Sequence, residues 1–181
     1  LISIVANPFA FGATVRWQGR RHAATLADDH IGAGPAVPAG AHAIVVGYGR
    51  VGCQLASLLR GHGMQLAVID DEAELVAKAR ADGIAAVRGN AASIDRIREL
   101  KPATATHALL AIPNAIEAAE LAAPLRAANS TMIILARAHS QAEVRHLLHC
   151  GADGAVLAEH ELAYSMAEMV MAAPATTHNA A

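Results

Sequence analysis

The strongest chemical signal in the chain is Gly47-Tyr48-Gly49-Arg50-Val51-Gly52, set between an aliphatic run and a helical pattern. Glycines at the first, third and sixth places permit a tight turn, a close backbone approach and tight helix–strand contact. Such a loop suits a phosphate or pyrophosphate, because its N–H groups and the positive end of the following helix converge on one point. Asp70 ends the next aliphatic run, 18 residues after Gly52, where a carboxylate can accept hydrogen bonds from ribose hydroxyls. Asp71 and Glu72 follow it, and three carboxylates together disfavour a 2′-phosphate through repulsion and desolvation. The expected ligand is therefore NAD(H) or an AMP-type adenine nucleotide, not NADP. Val87-Arg88-Gly89-Asn90-Ala91 closes a third run, where the adenine edge would lie; Asn90 offers it both a donor and an acceptor.

The elements that must hold these residues alternate between short β runs and helical patterns. Strands are expected at His42 to Gly47, Leu66 to Asp70, Ala85 to Arg88, His107 to Ile112, Thr131 to Leu135 and Ala155 to Leu157. Helices are expected after each: Val51 to Gly61, Asp71 to Ala81, Ser93 to Leu100, Asn114 onward, Ser140 to His149 and Glu159 to Met171. Pro124, ten residues into the fourth of these, should kink or divide it. Strand–helix alternation with right-handed crossovers predicts an α/β doubly wound (Rossmann) fold, a six-stranded parallel sheet with helices on both faces.

Composition narrows the function. Hydrophobic residues are 54% of the 181, and 14 Lys and Arg stand against 16 Asp and Glu. That suits a packed domain and supplies no basic surplus for nucleic acid. Two cysteines, Cys53 and Cys150, cannot build a disulfide framework and suit a reducing compartment. The apolar opening Leu1 to Phe11 is shorter than the about 20 residues a bilayer requires, and lacks the features of a signal peptide. It reads either as a buried segment or as the end of a membrane helix, with Arg16, Trp17, Arg20 and Arg21 at the interface. A start at Leu1 instead of Met points to a piece of a longer protein.

A dehydrogenase needs a substrate site and an acid–base group beside the nicotinamide, usually from a second domain. The six strand–helix units leave no room for one, and Tyr164 is followed four places on by Glu168, not Lys. A nucleotide-binding domain without a catalytic half suggests a sensor. The alternative is the NAD-binding domain of an oxidoreductase whose catalytic domain lies elsewhere.

His42-Ala-Ile-Val-Val-Gly-Tyr-Gly-Arg-Val-Gly52, Arg88-Gly-Asn-Ala91, Ala111-Ile-Pro-Asn114 and Ile134-Leu-Ala-Arg-Ala-His139 resemble the cytoplasmic RCK/TrkA-N regulatory domain. That domain lies at the C-terminus of Kef-like monovalent cation:proton antiporters of the CPA2 family. The resemblance implies a non-enzymatic, nucleotide-sensing homodimer on the cytoplasmic face of the bacterial inner membrane, gating a transmembrane antiporter domain of the same chain. Residues 1–15 would be a remnant of the last membrane helix, 16–41 a flexible linker, 42–172 the nucleotide-binding domain and 173–181 a disordered tail. By position, Gly47, Tyr48, Gly49, Arg50, Val51 and Gly52 would hold phosphate, Asp70 and Asp71 the ribose side, and Gly89, Asn90 and Ala91 the adenine. Ile112, Pro113 and Asn114 would border the site, and Arg137 would stand near the phosphates or the dimer partner, beyond strand five. Two departures stand out. Many relatives have Gly-Asp at Gly89-Asn90, and glutathione-gated members have arginine where this chain has His139, which argues against glutathione as effector.

Other constellations are weaker. His146 and Cys150 share a helix face without a second cluster to complete a metal site. Cys53, at a helix N-terminus, is either a redox thiol or a small packing residue. Ile116, Ala119, Ala123, Leu147 and Leu148, with Leu162, Met166, Met169 and Val170 of the last helix, offer apolar material for a homodimer interface.

Overall fold

A computed structural model describes residues 34–91 and 93–172 of the chain. The opening segment and the tail expectation lie outside the described residues, as does most of the expected linker. Six parallel strands form one sheet in the order β3-β2-β1-β4-β5-β6. They are β1 (His42–Val46), β2 (Leu66–Asp70), β3 (Ala85–Arg88), β4 (Ala105–Leu110), β5 (Ile133–Ala138) and β6 (Gly154–Leu157). The helices are α1 (Arg50–Gly61), α2 (Ala73–Ala81), α3 (Ile94–Glu99), α4 (Ala115–Ala128), α5 (Gln141–His149) and α6 (Ala158–Ala172), with a 3-10 turn at Pro102–Thr104. The chain turns left from β1 to β2 and β3, then crosses to β4 and continues right. The C-terminal ends of β1 and β4 are thus the switch point at which ligands bind in such sheets.

β1 and β2 are buried along their whole length and read as unbroken aliphatic runs, as central parallel strands must. On one face Ala43, Val45 and Val68 pack with Ala56 of α1 and Val76 and Ala79 of α2. On the other, Ile44, Val46 and Ile69 join Ile97, Leu121, Leu125, Ile134 and Leu147 beneath α3, α4 and α5. Ser140 caps α5 by accepting from the Glu143 N–H, and Gly151 (φ 106°) ends that turn in a backbone conformation other residues rarely adopt. His42, buried at the start of β1, sets its ring nitrogens 2.9 and 2.8 Å from the carbonyl oxygens of Gly40 and Leu100. Lys101 donates to the Val37 carbonyl at 2.9 Å. The final residues of the expected linker are therefore held against the domain.

Four expectations need correction. β4 begins and ends two residues earlier than expected, because the ladder to β1 extends down to the His42–Ala105 pair. β5 reaches Ala138, since its pairing with β6 runs through Arg137–Val156 and Ala138–Leu157. Arg137 accordingly lies within the strand, not beyond it. α4 continues through Pro124 without division, held by buried Leu121, Ala122 and Leu125 on its inner side. Finally, Ala119 and Leu147 are core residues, so only Ile116, Ala123 and Leu148 of the α4 and α5 set stay exposed.

The helix layers are unequal. Among the described residues no helix covers the outer face of β5 and β6, where Leu135 and Val156 are 36% and 49% exposed. They line an apolar hollow of about 330 Å³ with Val51, Leu55 and Leu109. α6 has no buried residue, and Leu162, Met166, Met169 and Val170 are 59–76% exposed.

Candidate functional site

The glycine loop owes its shape to three separate demands. Gly47 has φ 89° and sits against Ile112, so a side chain there would be strained and crowded. A Cβ at Gly52 would lie 1.9 Å from the Gly47 carbonyl oxygen, which makes glycine obligatory where α1 leaves the loop. A Cβ at Gly49 would meet nothing within 4 Å. Its bare backbone faces open space, as a backbone cradle for an approaching phosphate requires.

The ladder hydrogen bonds continue past the strand ends: the Gly47 N–H donates to Ile69 O, Gly89 N–H to Asp70 O and Ala111 N–H to Val46 O, each at 2.9 Å. These bonds fix the loops that form a two-lobed cleft at the switch point. The smaller lobe, about 250 Å³, is lined by Asp70, Asp71 and Glu72 after β2, and by Gly89, Asn90 and Ala91 after β3. Ile112, Pro113, Glu117 and Leu121 close its far side. The larger lobe, about 620 Å³, is lined by Gly49, Arg50, Val51, Leu75, Ala111 and Arg137. Both lobes share Gly47, Asp70, Asp71, Glu72, Ile112 and Pro113 and so form one continuous cleft.

Asp70 is 8% exposed and already engaged through both oxygens. Oδ2 accepts from the Tyr48 N–H at 2.6 Å and Oδ1 from the Glu72 N–H at 2.9 Å. Each carboxylate oxygen retains a further lone pair, so Asp70 can organise the loop and still accept from a ligand. The Tyr48 side chain points away from the cleft into the α1–α2 layer, 2% exposed, and its hydroxyl donates to Asp82 at 2.8 Å. Burial, reinforced by the neighbouring Asp82 charge, raises the phenol's pKa well above its ordinary value and keeps it a donor. Tyr48 thus serves the cleft through its backbone alone.

Of the remaining expected site residues, Asn114 caps α4, its Oδ1 accepting from Ile116 and Glu117 N–H groups at 3.1 and 3.4 Å. It borders the cleft without lining either lobe. Arg137 lines both the larger lobe and the apolar hollow over β5 and β6. Its Nε is buried without a hydrogen-bond partner among the described residues, and its guanidinium brings positive charge to the larger lobe. Glu117 and Leu121 went unread as site residues. Their signal was their spacing: one helical turn apart on the face of α4 that follows the cleft-bordering strand.

The weaker constellations resolve simply. Cys53 is half-buried, with Lys78 donating to its sulfur at 3.2 Å. Cys150 lies 4.0 Å from both His146 ring nitrogens, and no group of three metal-binding side chains occurs among the described residues.

Comparison with known proteins agrees with this geometry. The chain is 39% identical over 134 residues to the protein named "Putative cation/proton antiporter YbaL" of Escherichia coli (strain K12); it spans 24% of that protein's length. The crystal structure of the TrkA-N domain of inner membrane protein YbaL matches with TM-score 0.68 at 39% identity, covering 71% of this chain and 96% of that one. The Shewanella denitrificans Kef C-terminal domain in its AMP-bound form matches with TM-score 0.63 at 21% identity, covering 75% and 84%. The GsuK channel bound to NAD matches with TM-score 0.61 at 17% identity, covering 85% and 27%. These last two likenesses show the fold. With residues 43–158 matching the TrkA-N domain across all six strands of the sheet that carries the cleft, the chain belongs to the TrkA-N domain family.

Proposed function

We propose that this chain is the nucleotide-sensing regulatory domain of a potassium or other monovalent cation:proton antiporter, and that it binds NAD(H) or an AMP-type adenine nucleotide. The observation that carries the reading is the continuous cleft at the switch point, built on glycines at 47, 49 and 52 and on a buried Asp70. Adenine lies in the smaller lobe beside Asn90 and Ala91, and the ribose beside Asp70 and Asp71. Phosphate sits over Gly49 and Arg50, within reach of Arg137. The AMP in the Kef domain and the NAD in GsuK support the ligand class. The name of YbaL supports the transporter context, in which this chain forms the C-terminal part of a multi-pass protein on the cytoplasmic face of the inner membrane.

The domain acts as a homodimer. Leu162, Met166, Met169 and Val170 recur at i, i+4, i+7 and i+8 and give α6 one exposed apolar stripe that suits burial against a neighbour, and the uncovered face of β5 and β6 offers a matching surface on a second copy. Ligand shifts the pairing only through contacts that differ between two arrangements. Arg137, shared by the cleft and that face, supplies such a contact.

Isothermal titration calorimetry of the chain with AMP, NADH and NADPH tests the ligand. The expected result is binding of AMP or NADH, with NADPH at least about tenfold weaker because of the three carboxylates. A preference for NADPH overturns the acidic-lobe argument, and no binding of any of the three overturns the sensor reading.

A further inference from the structure

The two ends of the cleft differ in charge. Asp70, Asp71 and Glu72 line both lobes, Glu117 lines only the smaller one, and Arg50 and Arg137 only the larger. Three of the carboxylates come from one stretch at the end of β2. Glu117 instead reaches the lobe from the first turn of α4, beside Leu121. Its backbone N–H is taken by Asn114, whereas its half-buried carboxylate has no hydrogen-bond or ion-pair partner among the described residues. A carboxylate only accepts. Covering it with a flat ligand strips water from it, and this is offset only where the ligand presents an N–H at that point. A carbonyl oxygen in the same place would leave two acceptors facing each other. The surrounding Leu121, Ala91 and Ile112 give a base apolar surface to lie against beside that carboxylate.

We infer that Glu117 is a specificity-determining residue that selects a base with an exocyclic amino group at this position, adenine over its 6-oxo counterpart hypoxanthine. The assignment rests on the nucleotide reading above. The charge segregation also sets the ligand's direction: the donor-rich nucleoside lies among carboxylates, and its phosphates lie toward the guanidinium groups.

AMP and IMP differ only along one edge of the base, amino against oxo at C6 and a bare against a protonated N1, so the ratio of their affinities for the 181-residue chain is the readout. The wild type should prefer AMP by about tenfold or more, the discrimination expected of one charge-assisted hydrogen bond. Glu117→Gln keeps the side chain's shape and adds a donor that can turn toward a 6-oxo group. It should bring the ratio within about threefold, through weaker AMP and stronger IMP, with little change in melting temperature. Glu120→Gln, one turn away on the exposed side of α4, should leave the ratio at its wild-type value. The inference is overturned if the wild type binds AMP and IMP alike, if Glu117→Gln leaves the ratio unchanged, or if Glu120→Gln lowers it equally. A wild type that binds neither AMP nor NADH instead overturns the nucleotide reading on which this rests.

Discussion

The two halves of the sheet are finished to different degrees. β3, β2 and β1 are covered on both faces, and every residue of β1 and β2 is buried. Among the described residues β5 and β6 are covered on one face only, and the helix that follows them has no buried residue. In the first half, apolar surface is spent on internal stability; in the second it remains available, and contiguous exposed apolar surface of this kind marks an interaction site. The cleft lies at the seam between the halves, with the glycine loop on the finished side and Arg137 on the open one. A sensor needs one rigid side to define its ligand and one incomplete side whose state can change.

Four substitutions can break or sharpen that contrast. The largest effect is expected from Gly52→Ala, whose methyl group would occupy the space of the Gly47 carbonyl. Separating α1 from the loop should cost about 3 kcal/mol of stability and weaken nucleotide binding roughly a hundredfold or more. Thermal unfolding and calorimetry read both, and wild-type values in either would show that the loop is not the rigid element described. Asp70→Ala comes next. It frees the Tyr48 N–H and removes one or two ligand bonds worth about 1.5–3 kcal/mol each, a roughly ten- to hundredfold loss of affinity. Unchanged affinity would remove Asp70 from the site.

On the open half, Val156→Asp should leave folding and nucleotide affinity near wild type, because this edge-strand side chain is half-exposed and lines neither lobe of the cleft. Burying that charge in the proposed dimer should raise its dissociation constant about tenfold or more. Analytical ultracentrifugation measures this, and an undisturbed dimer would place the partner elsewhere. The smallest effect is at the outer edge, where Asp153 accepts from the Ile134 N–H at 2.7 Å and from Arg126 at 2.5 Å. The Ile134 hydrogen bond, then Arg126, holds its carboxyl below the usual range. A depressed folded pKa gives stability that is complete above the unfolded value, about 3.9, and is lost as pH falls through the folded one. Wild type should therefore melt above Asp153→Asn near neutrality, by a few degrees at most for so exposed a pair. The gap should close as the pH is lowered from about 5 toward 2. A gap that widens in acid would contradict this sign.

Much of the finished half was legible in the sequence because its rules are local. Glycines at fixed spacing have one geometric solution after a strand, and Asp70 falls at the end of the next aliphatic run. The second bond of Asp70, back to the Tyr48 N–H, was not legible, since it joins two loops 22 residues apart. The open half was read less well because tertiary pairing sets its boundaries. Arg137 belongs to β5 only through its pairing with Val156, and alanine-rich segments such as Ala105-Thr106 carry little strand preference of their own. Pro124 argued locally for a break in α4, yet the buried face on either side of it outweighs one missing hydrogen bond. Amphipathic pattern alone also could not separate Ala119 and Leu147, which face the core, from Ile116 and Leu148, which do not.

Native mass spectrometry of the purified chain reports ligand and subunit number together. The expected species is a dimer carrying one adenine nucleotide per protomer, either as purified or after incubation with AMP or NADH. A monomer that stays free of nucleotide under both conditions would contradict it.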